Sequence, residues 1–291
     1  MLVTAPPVFP ERPSDGHKGT FGRVLVVAGS RGMSGAACLA GVSALRGGAG
    51  LVFLAIPSGI QDVVASYEPS YLTLGLPHDC ATGQFDVSAV DEVLRASVGK
   101  DAIAVGPGMG TGLGATSIVH RLLTTAPQPV VVDADALNLL ASDQALLDSG
   151  RWSAAGPRII TPHPGEFSRV TKLSIGEIEA RREEVAVEFA QRMKCVVLLK
   201  GPQTLVTDGS QSVINTTGNS GMATGGSGDV LTGVIAALLA QGLPPFEAAR
   251  TGAFWHGLAG DLAAKELSQP SLIASDLPRY LGRAWLAAHP S

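Results

Sequence analysis

A glycine-rich segment at residues 218–229 holds the residues best placed to do chemistry. It reads Gly-Asn-Ser-Gly-Met-Ala-Thr-Gly-Gly-Ser-Gly-Asp and runs directly into an apolar periodic stretch at 230–241. Glycine lets backbone amides converge, and the N-terminus of the following helix adds unpaired N–H groups and a positive dipole end, so the segment suits a phosphate. Asp229 would repel that phosphate unless it takes a proton from an attacking hydroxyl. The segment therefore favours phosphoryl transfer from a nucleotide. An ordinary flexible loop with a helix-terminal acid stays open as the alternative.

Short segments rich in turn-forming and polar residues follow four other apolar runs. They lie at 106–108 (Gly-Pro-Gly), 133–138 (Asp-Ala-Asp-Ala-Leu-Asn), 161–166 (Thr-Pro-His-Pro-Gly-Glu) and 200–201 (Lys-Gly). Ligands of open α/β sheets bind outside the carboxyl ends of the strands, where these segments are expected to meet. Asp133, Asp135 and Asn138 are candidates for that rim, with capping of the next helix as the alternative role.

The elements that must position these residues alternate between strand and helix patterns. Candidate strands are 23–28, 51–56, 102–105, 130–133, 158–161, 196–200, 203–207 and 212–215, and candidate helices are 35–46, 88–97, 114–124, 136–147, 175–193, 229–241, 245–267 and 276–288. Such alternation predicts an α/β fold with a central, mostly parallel sheet flanked by helices on both faces. The last strands predict an antiparallel hairpin that turns at Asp208 and Gly209. No linker, charge block or repeat divides the chain, so we expect a single domain over 1–291.

Composition excludes several classes of partner. The formal net charge of −4 gives no electrostatic case for nucleic-acid binding. No run approaches 18 apolar residues, so we expect no membrane span, and the first 13 residues lack the apolar core of a signal peptide. The three cysteines (Cys38, Cys80 and Cys195) are far apart, which predicts reduced thiols in a cytoplasmic protein.

Familiar motifs of other enzyme classes are missing. The one Gly-Lys pair, Gly99-Lys100, is followed by Asp101, which excludes a P-loop. The first candidate strand is not followed by a Gly-x-G-x-x-Gly spacing, so an NAD-dependent oxidoreductase is disfavoured. The six histidines show no metal-ligand spacing. Of these, His163 between two prolines is the one expected to be held rigidly at the rim. We expect the others to be surface or packing residues: His17, His78, His120, His256 and His289.

Taken together, the motifs resemble those of the ADP-dependent NAD(P)H-hydrate dehydratases, a bacterial metabolite-repair family of the ribokinase-like superfamily. The resemblance covers nearly the whole chain, and its marks lie at 17–22, 29–37, 46–51, 106–108, 133–138, 163–166, 200–204 and 225–229. It implies a ribokinase-like fold and a reaction in which ADP drives the dehydration of (S)-NADH-hydrate and NADPH-hydrate. The ring hydroxyl is phosphorylated and then expelled as phosphate, with release of AMP.

The resemblance also implies roles for particular residues. Asp229 would be the catalytic base, beside an anion hole formed by the amides of Gly226, Ser227 and Gly228. The AMP portion of the nucleotide would be held by Lys200, Gly201, Pro202, Gln203, Thr204 and Gly228. The hydrated dinucleotide would be contacted by Ala36, Gly108, His163 and Asp229. Glu166 stands where related kinases organise magnesium and water. Mg²⁺ is expected with ADP, and its ligands are left open because His163 replaces the asparagine of those kinases.

Two other functions remain to be weighed. A small-molecule kinase of the same fold, similar to hydroxyethylthiazole kinase, would use the same base but release a stable phosphorylated alcohol. A nucleotide sensor without catalysis would have no use for Asp229. The resemblance further implies a homotetramer and an epimerase carried by a separate chain. The preferences between ADP and ATP, and between NADH-hydrate and NADPH-hydrate, are left open.

Overall fold

The computed structural model describes residue 3 and residues 6–289. Its centre is a nine-stranded sheet in the order β3-β2-β1-β4-β5-β6-β7-β8-β9. The first seven strands are β1 (Arg23–Val27), β2 (Leu51–Pro57), β3 (Leu72–Leu76), β4 (Ala102–Val105), β5 (Val130–Val132), β6 (Arg158–Ile160) and β7 (Val196–Leu199). All of them pair in parallel. The last two, β8 (Leu205–Thr207) and β9 (Ser212–Ile214), pair antiparallel.

Helices cover both faces of this sheet, because the strands are buried runs whose successive side chains point to opposite sides. One face packs against α1 (Ser34–Arg46), α2 (Gln61–Tyr67), α10 (Ser227–Ala240), α11 (Pro245–Leu267) and α12 (Leu277–Ala288). The other packs against α3 (Val90–Ser97), α4 (Leu113–Thr125), α5 (Asp135–Ser142), α6 (Gln144–Ser149), α7 (Pro164–Thr171), α8 (Ile175–Ala180) and α9 (Arg182–Met193). The predicted α/β class with a mostly parallel sheet is confirmed.

Helix α10 approaches the backbone of α1 closely at Gly233. A methyl group on Gly233 of α10 would collide with the carbonyl oxygen of Ala40 in α1. Glycine at this position therefore lets the two backbones approach closely. Both helices begin at loops that the sequence analysis assigned to ligands, since α1 carries Ala36 and α10 carries Asp229.

The hairpin and all eight predicted strands are confirmed, but several predicted helix boundaries are wrong. The expected helix at 136–147 is divided at Asp143, whose carboxylate accepts the amide of Leu146 and so starts α6 anew. The expected helix at 175–193 is divided at Arg181, which leaves helical geometry with φ −134° and ψ 43°. Strand β3 and helices α2 and α7 were not predicted.

No helix among the described residues is both long enough and apolar enough to span a bilayer.

Candidate active site

The N-terminus of α10 forms one wall of the candidate site. Gly226 precedes the helix with a φ of 96°, which favours glycine, and it brings Asp229 into the first helical turn. Among the described residues, the amides of Gly226 and Gly228 have no protein acceptor. The amide of Ser227 donates to the carbonyl of Thr224 at 3.3 Å. Two free amides and the positive end of the helix dipole therefore face the space in front of α10.

Asp229 is partly buried at this wall. Burial raises the pKa of its carboxyl group to about 7, and the nearby carboxylate of Asp133 adds to the rise while Lys200 opposes it. A carboxyl group with a pKa near neutrality can accept a proton and release it again under ordinary conditions, as a general base must. Its position and its proton affinity are both those expected of the predicted catalytic base.

Behind Asp229, a buried ion pair joins the ends of two strands. The ammonium Nζ of Lys200, directly after β7, lies 2.8 Å from Oδ1 of Asp133, directly after β5. The other oxygen of Asp133 accepts from the hydroxyl of Thr232 in α10 at 2.7 Å. Glu166 Oε2 lies 3.7 Å from the same ammonium. A methyl group on Gly228 would lie only 3.3 Å from Lys200 Nζ, so the first turn of α10 lies directly against this cluster.

The structure rules out the alternative role of the rim residues, which was to cap the helix that follows them. The carboxylates of Asp133 and Asp135 do not cap α5. Ala134 is the residue before this helix, and no side chain caps it. Asp133 is 1% exposed and is bonded to Lys200 and Thr232, as described above. Asp135 accepts the amide of Gly110 at 2.9 Å. Asn138 accepts from Arg169 Nε at 2.8 Å.

His163 begins α7 as its capping residue. Its Nδ1 accepts the amides of Gly165 and Glu166, at 3.0 and 3.3 Å, while the Glu166 carboxylate accepts the amide of His163 at 2.8 Å. This reciprocal capping box fixes the imidazole at the rim, as predicted. Burial raises the pKa of Glu166, with Lys200 acting in the opposite direction.

Ala36 and Gly108 come together at the start of α1. A methyl group on Gly108 would lie 2.9 Å from Cβ of Ala36 and 2.9 Å from Cβ of Met33. The hydroxyl of Ser30 donates to the Gly108 carbonyl at 2.8 Å and holds this loop against the start of α1. Ala36 is 8% exposed and Gly108 is buried against it, so only small residues fit at this contact.

The segment from Lys200 to Thr204 is held by a residue that sequence analysis missed. Arg182, the first residue of α9, donates from its NH2 group to the carbonyls of Leu199 and Lys200, at 2.9 and 2.8 Å. Gly201, Pro202 and Gln203 lie exposed beyond this clamp, and Thr204 is partly buried. Lys200 itself points to Asp133, so the segment that is open to a nucleotide is chiefly the backbone that follows it.

Three further residues of the site carried no signal that sequence analysis used. Thr232 was read only as part of an apolar helix, yet its hydroxyl supports Asp133. Asp261 of α11 accepts the amide of Gly218 at 2.8 Å and the side-chain amide of Asn219 at 2.9 Å. His256, expected to be a surface or packing residue, is 8% exposed and lies behind Ser227.

The carboxylates do not form a metal site of their own. Among the described residues, no group of three or more His, Cys, Asp or Glu side chains is arranged to hold a metal ion. The oxygens of Asp133 and Glu166 are already bonded to Lys200, Thr232 and the backbone of His163. A resident metal held by protein ligands therefore does not fit, and any Mg²⁺ has to arrive with nucleotide phosphates.

Free amides at a helix N-terminus, a carboxylate with a raised pKa and the small residues Ala36 and Gly108 all follow the carboxyl ends of strands in one sheet. The fold is that of a ribokinase-like α/β protein, in which ligands bind at the carboxyl ends of the strands.

The comparisons with known proteins then identify the family. The family model described as NAD(P)H-hydrate dehydratase matches residues 24–283, and the chain belongs to that family. It is 39% identical over 267 residues to the ADP-dependent (S)-NAD(P)H-hydrate dehydratase of Neisseria meningitidis, covering 90% of this chain and 85% of that protein. It is 44% identical over 275 residues to the bifunctional NAD(P)H-hydrate repair enzyme Nnr of Moorella thermoacetica, covering 94% of this chain and 51% of that protein. The chain thus spans about half the length of the bifunctional relatives it matches.

A solved structure supports the same assignment. The ADP/ATP-dependent NAD(P)H-hydrate dehydratase of Bacillus subtilis, co-crystallised with ATP and Mg²⁺, superimposes with a TM-score of 0.81 at 32% identity. The match covers 96% of this chain and 94% of that one. The family and the fold expected from the sequence are therefore confirmed.

Proposed function

We propose that this protein catalyses the ADP-dependent dehydration of (S)-NADH-hydrate and (S)-NADPH-hydrate, giving NADH or NADPH, AMP and phosphate. Family membership supports the reaction class. The observation that carries the proposal is the Asp229 carboxyl group, which has a pKa of about 7 and stands beside free amides at the start of α10. A base and a phosphate-binding site in contact are what transfer to a hydroxyl requires.

In the first step, Asp229 takes the proton of the ring hydroxyl on the hydrated nicotinamide. The hydroxyl oxygen attacks the β-phosphorus of ADP, the bond to the bridging oxygen breaks, and AMP leaves. The amides of Gly226 and Gly228 face the transferring group and stabilise its developing negative charge. The backbone from Gly201 to Thr204 holds the AMP portion, with Lys200 anchored behind it by Asp133.

In the second step, the phosphate ester leaves from the ring. The lone pair of the ring nitrogen expels phosphate by breaking the carbon–oxygen bond, and the neighbouring ring carbon then loses a proton to restore the dihydronicotinamide. We assign the contacts with the dinucleotide to Ala36, Gly108 and His163. Mg²⁺ enters bound to ADP, as part of the co-substrate, because the described side chains offer it no site of their own.

A turnover assay tests the proposal directly. Purified protein is incubated with Mg²⁺, hydrated NADH and either ADP or ATP, while dihydronicotinamide absorbance is followed and products are separated by chromatography. We expect absorbance to recover with one AMP and one phosphate formed per NADH when ADP is used. A stable phosphorylated dinucleotide would instead identify a kinase, and nucleotide binding without turnover would identify a sensor.

The same assay addresses the partner proposals. With a mixture of hydrate epimers, we expect recovery to stop once the (S) form is consumed, since epimerisation is assigned to another protein. Addition of an epimerase should then complete the reaction. The proposed homotetramer is tested by light scattering, where the particle mass should be about four times the chain mass of 29.7 kDa. The low charged fraction of 16% supports self-association of this kind.

A further inference from the structure

The segment from Lys200 to Thr204 is fixed at its two ends by the backbone of other loops. Its first amide donates to the Pro162 carbonyl at 2.8 Å, and its last carbonyl accepts the amide of Asn215 at 2.8 Å. Between these ends, Gln203 has a φ of 56°, in the left-handed region that favours glycine. Because a residue other than glycine is strained in this conformation, the segment needs support from outside itself.

Arg182 supplies that support at the start of the segment. Its Nη2 donates to the carbonyls of Leu199 and Lys200, as described above, and its Nη1 pairs with Glu179 at 2.8 Å. Only 18% of the side chain is exposed. A methyl group on Gly201 would lie 2.9 Å from Nη2, so the guanidinium lies directly against the backbone. Because the guanidinium is planar and rigid, the pair with Glu179 also fixes the direction of the bonds to the carbonyls.

The place of Arg182 in its own helix does not explain the residue. The chain leaves helical geometry at Arg181, so Arg182 is the first residue of α9. A cation there faces the positive end of the helix dipole, where acidic residues such as Glu183 and Glu184 of the same turn are favourable. The arginine therefore serves the two carbonyls and not the helix in which it lies.

These carbonyl contacts set the direction of one amide. The peptide bond between Lys200 and Gly201 is trans, so its carbonyl and its N–H point to opposite sides. Since the carbonyl points to Arg182, the amide of Gly201 points away from the guanidinium. Gly201 is exposed, and among the described residues its amide has no protein acceptor. The Gly201 amide is therefore a free donor whose direction is fixed by Arg182.

We propose that Arg182 is a positioning residue for the nucleotide: it holds the carbonyls of Leu199 and Lys200 so that the Gly201 amide donates to the AMP portion of ADP. This inference rests on the proposed function, which assigns that portion to the backbone after Lys200. The AMP portion does not react, so the contact has the same strength before and in the transition state. Arg182 should therefore act on the KM for ADP and not on kcat.

Steady-state kinetics and AMP binding in the full-length protein test the proposal. Arg182→Met removes the guanidinium and keeps most of the length of the side chain. We expect the KM for ADP, and the Kd for AMP measured by calorimetry, to rise about tenfold, which is the order of one lost hydrogen bond. The kcat and the KM for the hydrate should change less than about threefold.

Two further variants separate positioning from packing. Arg182→Lys returns a cation that can donate to both carbonyls, and it should recover most of the affinity for AMP. Arg181→Met makes the same exchange at the neighbouring arginine, which pairs with Glu184 at 3.0 Å and is 49% exposed, and it should keep the wild-type KM and Kd. Where Arg182→Met fails to fold, Arg182→Gln takes its place with the same expected result.

Wild-type affinity for AMP in Arg182→Met would overturn the proposal, as would a fall in kcat with an unchanged KM for ADP. An Arg182→Lys variant as weak as Arg182→Met would also overturn it, because the carbonyl bonds would then not be what matters. A wild-type protein that does not turn over hydrated NADH with ADP would instead overturn the proposed function, and AMP binding would still report on Arg182.

Discussion

Asp229 gives the proposed reaction a pH dependence whose sign and position follow from the structure. The carboxyl group must be ionised to accept a proton, so activity should rise with pH. Burial and the Asp133 carboxylate bring its pKa to about 7, far above the ordinary value of 3.8. The pH dependence of kcat/KM reports ionisations of the free enzyme, so kcat/KM should fall about tenfold for each pH unit below 7. At pH 5 about 1% of the plateau activity should remain.

The assay is the ADP-dependent recovery of NADH, measured at low hydrate concentration between pH 5 and pH 9. Asp229→Asn is the matched variant, since it keeps the size and most of the polarity of the side chain. We expect it to lower the plateau by at least ~10²-fold, which is the usual contribution of a general base. A pH dependence that comes from ADP or from the hydrate would persist in this variant. The fall of kcat/KM at low pH that is due to Asp229 would disappear.

Two results would refute the reasoning. A wild-type profile that stays flat from pH 5 to pH 8 would show that no group with a pKa near 7 governs the step. An Asp229→Asn variant with wild-type kcat/KM would remove the carboxylate from the chemistry altogether. The same fall of kcat/KM at low pH in the wild type and in Asp229→Asn would assign the titration to the substrates.

Four further outcomes are expected. Asp229→Asn should raise Tm at pH 8 by at least ~2 °C. The pKa of Asp229 is raised in the folded state, so the stability that this group contributes below pH 3.8 is lost as the pH passes about 7. An equal gain in Tm at pH 3 would contradict this reasoning. Lys200→Ala should raise the KM for ADP about tenfold or more, because it leaves the buried Asp133 carboxylate without its ion pair behind the backbone that holds the nucleotide; unchanged kinetics would remove Lys200 from the site. Gly106→Ala should cost ~2 kcal/mol or more in urea unfolding, because φ is 127° and the new methyl group would collide with the Asp133 carbonyl. Gly99→Ala, with φ 71° and open space around it, is the control and should cost clearly less.

The elements that sequence predicted well are those whose signal is local. Strands such as β4 and β5 are short runs of buried, mostly β-branched residues, and turn-forming residues bound them on both sides. Strand β3 escaped because it is an edge strand that contains Thr73 and Gly75 and has an exposed Leu72. Helix α7 escaped because Pro164 and Gly165 suggest a turn, whereas proline at the first position of a helix is favourable once His163 caps it.

The candidate site divides in the same way. Asp229 was found because it follows a recognisable glycine-rich segment in the chain. Asp133 was found only as one of several rim residues, since its partners Lys200 and Thr232 lie 67 and 99 residues away. Arg182, His256 and Asp261 act through contacts that only the packing of α9 and α11 creates. The roles assigned to the site residues, the tetramer, the cytoplasmic location and the extent of the single domain stay predictions.

The contact of α1 with α10 at Gly233 limits how such a site can adapt. The backbone that carries Ala36 and the backbone that carries Asp229 touch at Ala40 and Gly233, so a shift of one helix at this contact displaces the other. A larger side chain at position 233 would collide with the Ala40 carbonyl and push α1 and α10 apart, which would move the start of one helix relative to the other.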